Sequence, residues 1–242
     1  MNQEHNPFIA FGFIIGIALI LATCIGAWAV FAVRALDNTL SVTGSAKTEV
    51  DSDSVKFSFT ISRIVPATEL ASGSARLDAD LATAKAYLVV QQVPDSEIAI
   101  DPVMTNQIYE NNGTQANRYQ MSRTIIVNST RMDAMTALTA NLSSALTQKG
   151  LVIQSNQPEY YYSKLADLRV SLLSEAIKDA KARAGAIAKE SGQKVGKLRS
   201  SSSGVVQILA PNSIDVSDYG QYDTSSQKKV IMVSVRSTFE IK

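Results

Sequence analysis

The chain has 242 residues, with 23 Lys and Arg against 22 Asp and Glu, a net charge of +1. That balance excludes the strongly basic composition typical of nucleic-acid binders, and no nucleic-acid partner is expected. The one cysteine, Cys24, lies inside an apolar run and the one histidine, His5, precedes it. Residues 34–242 therefore have no disulfide, thiol nucleophile or thiolate metal site, and no imidazole for zinc ligation or general-base work.

Residues 1–7 form a short tail. Phe8 to Val33 then runs 26 residues without a charge. A helix crossing ~30 Å of hydrocarbon at ~1.5 Å per residue needs about 20 such residues, so this segment is long enough to span a bilayer with some tilt. A cleaved secretory signal is the alternative, because Ala27-Trp28-Ala29 loosely fits a cleavage site. The tail carries no Lys or Arg, and the run is about twice the usual signal core, so a retained anchor is the preferred reading. Gly12 and Gly16, with Ala18, Ala22 and Gly26, place small residues on helix faces at spacing four, the pattern that lets two membrane helices approach closely. Arg34 beside Asp37 is too little charge to fix the orientation.

Residues 34–39 are a very short linker, so whatever follows sits close to the membrane surface. Strands are predicted from Leu40 to Val50 and across 55–61, where Val55, Phe57, Phe59 and Ile61 alternate onto one face. The turn between them contains Asp51-x-Asp53, which lacks the glycine and the closing acid of a calcium loop. Pro66 opens a helix over 67–92 with Leu70, Leu77, Leu81, Ala84 and Leu88 as its stripe, and Pro94 ends it. A hairpin is predicted from strands at 97–109 and 117–129, joined by Glu110 to Thr114. On its second strand Tyr119, Met121, Ile125 and Val127 share a face that Arg123 interrupts, which leaves the buried side open.

A helix over 131–147 carries Met135, Leu138, Leu142 and Leu146, with Gly150 as its C-terminal cap. A strand over 151–162 ends in Tyr160, Tyr161 and Tyr162. These are a candidate interface, since tyrosine is enriched there; the blander reading is a strand end with one ring inward. The helix 163–191 has the stripe Leu165, Leu168, Leu172, Ala176, Ala180, Ala184, Ile187 and Ala188. Its alanine-rich half is suited to close packing, and Gly192 is its C′ residue. Strands near 195–201, 205–210 and 229–241 complete the chain, with a polar loop over 211–228, of a length usually functional or disordered. The last strand alternates well and should be internal to a sheet.

Catalytic motifs are few. Ser191-x-x-Lys194 and Ser225-x-x-Lys228 match S-x-x-K, but neither serine opens a helix and the companion motifs are missing. The acids are scattered over turns and solvated helix faces. No catalytic, metal or cofactor-binding residues are assigned, and no cofactor is expected.

Three stretches resemble one family. Leu40-Ser41-Val42-Thr43-Gly44-Ser45-Ala46 is similar to its opening strand, and Ala67 to Leu88 to its first long helix. Ala176 through Ala188, with Asp179, Ala180, Arg183 and Ala184 at the signature positions and then Gly192 and Gly196, is similar to its most specific motif. The family is that of SIMPL domains, which includes a bacterial periplasmic antigen and a periplasmic protein linked to oxidative stress. Two turns depart from it: Ser52-Asp53 stands where Pro-Asp is frequent, and Lys228-Lys229 where Pro-Gly usually precedes the final strand. The resemblance implies an α+β domain over 40–242, with mixed sheets and three helices, exported from the cytoplasm and without recognised catalytic residues. It also implies ring- or cage-like homo-oligomers in some members. With the anchor, the expectation is a non-catalytic, single-pass protein of the inner (plasma) membrane, its domain facing the periplasm or exterior. Its partners would be the lipid bilayer and further copies of itself, in a homo-oligomer with a stress-related role. The alternative is an envelope module binding a small molecule or peptide through the 211–228 loop and the tyrosines.

Overall fold

The computed structural model describes residues 7–35, 38–109, 115–213 and 217–242, with side chains placed for 11–32, 38–109, 117–213 and 217–242. The predicted hairpin loop Glu110 to Thr114, residues 1–6 of the tail and residues 214–216 of the polar loop lie outside the described residues.

The first helix, α1, runs Pro7–Ala35 and contains one candidate membrane span, Phe11–Ala32, none of it buried. Nothing stands within 4 Å of a Cβ built on Gly12, Gly16 or Gly26. Strands β1 (Thr39–Asp51) and β2 (Ser54–Pro66) follow, then a 3-10 turn at 67–69 and α2 (Leu70–Val90). A second 3-10 turn leads to β3 (Ile98–Ile100), β4 (Met104–Tyr109), β5 (Gln115–Ser129) and α3 (Met132–Gln148). The chain continues through β6 (Val152–Ser155), β7 (Glu159–Tyr161) and α4 (Leu165–Glu190). It ends with β8 (Val195–Ser203), β9 (Gln207–Leu209), β10 (Gln221–Tyr222) and β11 (Lys228–Ile241). This is the expected α+β architecture, and among the described residues it has two sheets, with three long helices after α1.

Two predicted strands are each split. The 97–109 segment breaks into β3 and β4 at Asp101-Pro102-Val103, and 151–162 breaks into β6 and β7 at Asn156-Gln157-Pro158. In both cases proline removes a donor from the ladder. Gly150 and Gly192 adopt φ of +85° and +72°, the left-handed conformation expected of residues just past a helix end.

The chain divides into two compact units, and β1, α4 and β11 each contribute residues to both. The first unit holds residues 1–46, 173–204 and 233–242. In it the end of β11 pairs antiparallel with β8, from Val235 opposite Ser203 to Ile241 opposite Val195. Ala180, Ala184 and Phe239 form its small core, flanked by Leu40, Val42 and Val195. Strand and helix approach closely because Gly44 has no side chain. A Cβ there would lie 2.2 Å from the Ala176 carbonyl oxygen and 2.4 Å from the Ala180 nitrogen. The next amide, Ser45 N, donates to Asp179 Oδ2 at 2.8 Å, as does Arg183 Nε at 2.8 Å. These bonds, the backbone one foremost, hold the Asp179 carboxyl below its ordinary pKa. Ile187, expected on the apolar stripe, is 50% exposed, because it lies one residue, about 100°, round the helix from buried Ala188.

The second unit holds residues 47–172 and 205–232. Its centre is β2, paired antiparallel with β5 from Val55 opposite Ser129 to Pro66 opposite Arg118. Both β6 and β7 pair with β2, while β3 and β4 pair with β5. Val55, Phe57, Phe59, Ile61 and Val65 face the core with Met121, Ile125 and Val127, which settles the buried side of β5. On this core pack Leu77, Ala84 and Leu88 of α2 and Met135, Leu138, Leu142 and Leu146 of α3. Each large apolar side chain buried in this way contributes roughly 1.5–3 kcal/mol. Leu70 and Leu81 are only partly buried; the α2 positions fully inside are Gly73, Leu77, Asp80, Ala84 and Leu88.

Candidate functional site

Alternation along β11 puts Phe239, Val235, Val233 and Ile231 inside, and the same count carried back reaches Lys229. A lysine therefore occupies a buried position, with 0% of its side chain exposed. Burial of an ammonium group needs compensating hydrogen-bond acceptors or negative charge. Here Lys229 Nζ donates to the carbonyl oxygens of Asp223 at 2.5 Å and Ser226 at 2.9 Å. The Asp223 carboxylate stands 3.9 Å away and the Tyr222 ring centroid 5.6 Å away, within reach of a cation–π contact. Burial pushes the Lys229 pKa below that of ordinary lysine, and Asp223 opposes that shift.

The residues around Lys229 form a tight turn. Burial raises the Asp223 pKa, but hydrogen bonds from Ser226 and Ser225 outweigh it, so the carboxyl lies below its usual range. Those bonds come from both hydroxyls and both backbone amides, the Ser225 hydroxyl at 2.7 Å. The segment 221–229 is also strapped to its neighbours in the second unit. Ser52 N donates to Gln227 O at 2.9 Å, Tyr160 N to Thr224 O at 2.8 Å, and Tyr162 N to the Tyr222 hydroxyl at 3.0 Å. Beside these bonds the hydroxyl oxygen of Ser52, a buried residue, has no hydrogen-bond partner.

The three tyrosines join this cluster. Tyr160 packs against the main core. Tyr161 stacks obliquely on Tyr222, centroids 5.8 Å apart, and its hydroxyl donates to Glu159 Oε2 at 2.6 Å. That bond, then burial, then the negative charge of Glu159 raise the Tyr161 pKa to about 12. All three are half-buried.

In the second unit a cleft of about 540 Å³ is lined by Lys47, Thr48, Glu49, Leu209, Asn212, Ser213, Val230 and Met232. Its lining combines the apolar Leu209, Val230 and Met232 with polar groups that include one cation and one carboxylate, the mixture found in small-ligand sites. A smaller recess shares Glu49 with it and is lined by Asp51, Pro211, Lys228 and Lys229.

The two S-x-x-K serines are committed elsewhere. The Ser191 hydroxyl donates to the Ile187 and Ala188 carbonyls, both at 3.1 Å, and the Ser225 hydroxyl donates to Asp223. Asp53 of the Asp51-x-Asp53 turn accepts from Ser163 N at 2.8 Å and Ser163 Oγ at 2.7 Å. Among the described residues no group of three or more His, Cys, Asp or Glu is placed to hold a metal ion. The membrane-helix residues Gly12, Gly16, Ala18, Ala22 and Gly26 lie along α1, apart from this cluster in sequence.

Sequence reasoning pointed to the 211–228 loop, which contains Tyr222 and Asp223, as a binding element without singling out either residue, and it missed Lys229. The available signal was parity: a lysine at an inward position of an otherwise apolar strand face. Comparison with known proteins bears on the whole region. No curated protein matches the chain. The model of the SIMPL family, described as a protein of unknown function (DUF541), matches residues 40–239, and by that match over most of its length the chain belongs to the SIMPL family.

Proposed function

We propose that this is a membrane-anchored, non-catalytic SIMPL-domain protein that self-assembles into a large homo-oligomer at the cell envelope, its domain facing the periplasm or exterior. The observation that supports it most is α1, whose 22-residue apolar span, Phe11–Ala32, is nowhere buried against the protein. Such a helix needs lipid or another helix around it. The open space around Gly12, Gly16 and Gly26 leaves room for a second α1 at close approach. A ring or cage with many anchors would gain avidity for the membrane. A part in stress response follows from the family resemblance alone.

Light scattering of the full chain in detergent tests assembly. A discrete mass of many protomers is the expected result, and a monomer at high concentration defeats the assembly. Replacing Gly12 and Gly16 by Ile then separates the two drivers: loss of the large species assigns it to α1, retention assigns it to the SIMPL domain. Carbonate extraction followed by protease protection tests the anchor and the side on which the domain lies.

A second reading, a binding module for a small molecule or peptide, is favoured by the 540 Å³ cleft beside Val230 and Met232. Ligand screening by thermal shift with wild type and Met232→Trp tests it. A ligand that stabilises wild type alone supports the reading, and no stabilisation across the screen counts against it.

A further inference from the structure

The two units differ in charge. From residue 7 onward the first has ten Lys and Arg against five Asp and Glu, a net +5, whereas the second has thirteen against sixteen, a net −3. The near-neutral whole conceals a basic unit, and that unit is the one directly continuous with α1.

Within the first unit the backbone fixes where part of this charge lies. Ile241 N donates to Asn38 O at 3.0 Å, and Lys242 and Lys194 exchange both backbone bonds, at 2.9 and 2.6 Å. The starts of β1 and β8 and the end of β11 therefore lie side by side. Lys194 is two strand spacings, about 10 Å, from Asn38. Ala35, the last residue of α1, is three residues before Asn38 and so at most about 11 Å from it along the chain. Lys189 is in the last turn of α4, five residues before Lys194, and Lys197 is three residues after it. All three lysines are exposed. Of the acids in this unit, Asp179 and Glu240 are occupied by Arg183 and Arg199. The acids nearest the three lysines in sequence and along α1's exit are Glu190 and Asp37, the latter offset by Arg34.

We propose that Lys189, Lys194 and Lys197 form a contact surface for the anionic phospholipid headgroups of the same membrane that holds α1. The inference rests on reading α1 as a membrane span. A bilayer's headgroup layer extends several ångströms beyond the hydrocarbon, and its negative potential reaches about 8 Å further at physiological salt. The short tether after α1 lets these lysines reach that range, where each juxtamembrane cation is attracted to an anionic leaflet. The contact would hold the first unit against the bilayer without a further apolar anchor.

The test uses the full wild-type chain in lipid nanodiscs, made either from phosphatidylcholine alone or with added phosphatidylglycerol. A brief pulse of amine acetylation is read residue by residue by mass spectrometry. Acetylation of Lys189, Lys194 and Lys197 should slow on the order of threefold or more in the anionic discs, with exposed Lys149 and Lys164 of the second unit unchanged. The effect should vanish near 1 M salt, where the screening length falls to about 3 Å. Equal rates in both disc types, or slowing that extends equally to Lys149 and Lys164, overturns the proposal. Protection that follows protein concentration and ignores lipid charge assigns the lysines to a second copy of the chain and also overturns it. A chain that fails to enter discs of either kind defeats the span itself, a separate and visible outcome.

Discussion

Arg63 on β2 grips Asp80 on α2 through two hydrogen bonds, Nε to Oδ2 at 2.5 Å and Nη2 to Oδ1 at 2.7 Å. Both residues occupy core-facing positions, and only 10% of the Asp80 side chain is exposed. Removing the carboxylate leaves a guanidinium with its best partner gone at the edge of an apolar core. Asp80→Ala should therefore destabilise the protein by about 2–3 kcal/mol, read by urea unfolding. Adding Arg63→Met to Asp80→Leu should recover most of the loss, because a two-sided apolar replacement leaves nothing unpaired. If the single and double variants are equally unstable, the pair is not what holds α2 on the sheet.

Gly44 makes a second prediction. A methyl group there would collide with backbone atoms of α4, which cannot rotate away as a side chain does. Gly44→Ala should cost about 3 kcal/mol or more and lower the thermal midpoint. Ser45→Ala, which keeps the amide bonded to Asp179, should stay within about 0.5 kcal/mol. A Gly44→Ala variant as stable as wild type would mean that strand and helix separate at little cost.

Much of this fold was legible in sequence, and the residues show why. Val55, Phe57, Phe59 and Ile61 announced β2 by strict alternation, and the Met135, Leu138, Leu142 and Leu146 stripe announced α3; all eight are buried. Periodicity reports where apolar side chains recur, so it is silent where a charged residue takes an inward position. Asp80 and Arg63 passed unnoticed for that reason, as did Lys229. Pairing depends on contacts distant in sequence, so no local pattern indicated that β6 and β7 would share β2. The site was less legible than the fold. Its groups are gathered from β7, the strap and the start of β11 by backbone bonds that no side-chain motif encodes.

Tyr161 gives a prediction in pH. Its phenol is raised to about 12, first by donation to Glu159. A pKa raised in the folded state contributes stability that is fully present below the unfolded value near 10 and is lost as pH rises through the folded one. Stability should thus decline between about pH 10 and 12 by an amount that Tyr161→Phe abolishes. Ultraviolet difference titration of the eight tyrosines should show one that ionises late. Glu159→Gln should bring it back toward 10, and a late phase that survives this change assigns the shift to another tyrosine.

Lys229 is the donor that closes the strap over 221–229, and its removal should loosen that segment before the core. Replacing it with methionine keeps the aliphatic stem and removes the ammonium, leaving the Asp223 and Ser226 carbonyls without their donor. The charge itself is costly to bury, so global stability should move little, within about 1 kcal/mol in either sense. Local opening should change far more. The amides of Ser52 and Tyr160, bonded to Gln227 O and Thr224 O, should exchange with solvent about tenfold faster in Lys229→Met, while those of Ile61 and Ile125 stay unchanged. Lys229→Arg, which keeps the charge but swells the buried head group, should lie between the two. Uniform acceleration across all four amides would mean that Lys229 supports the whole unit. Equal protection in wild type and Lys229→Met would mean that the strap is held by its backbone bonds alone.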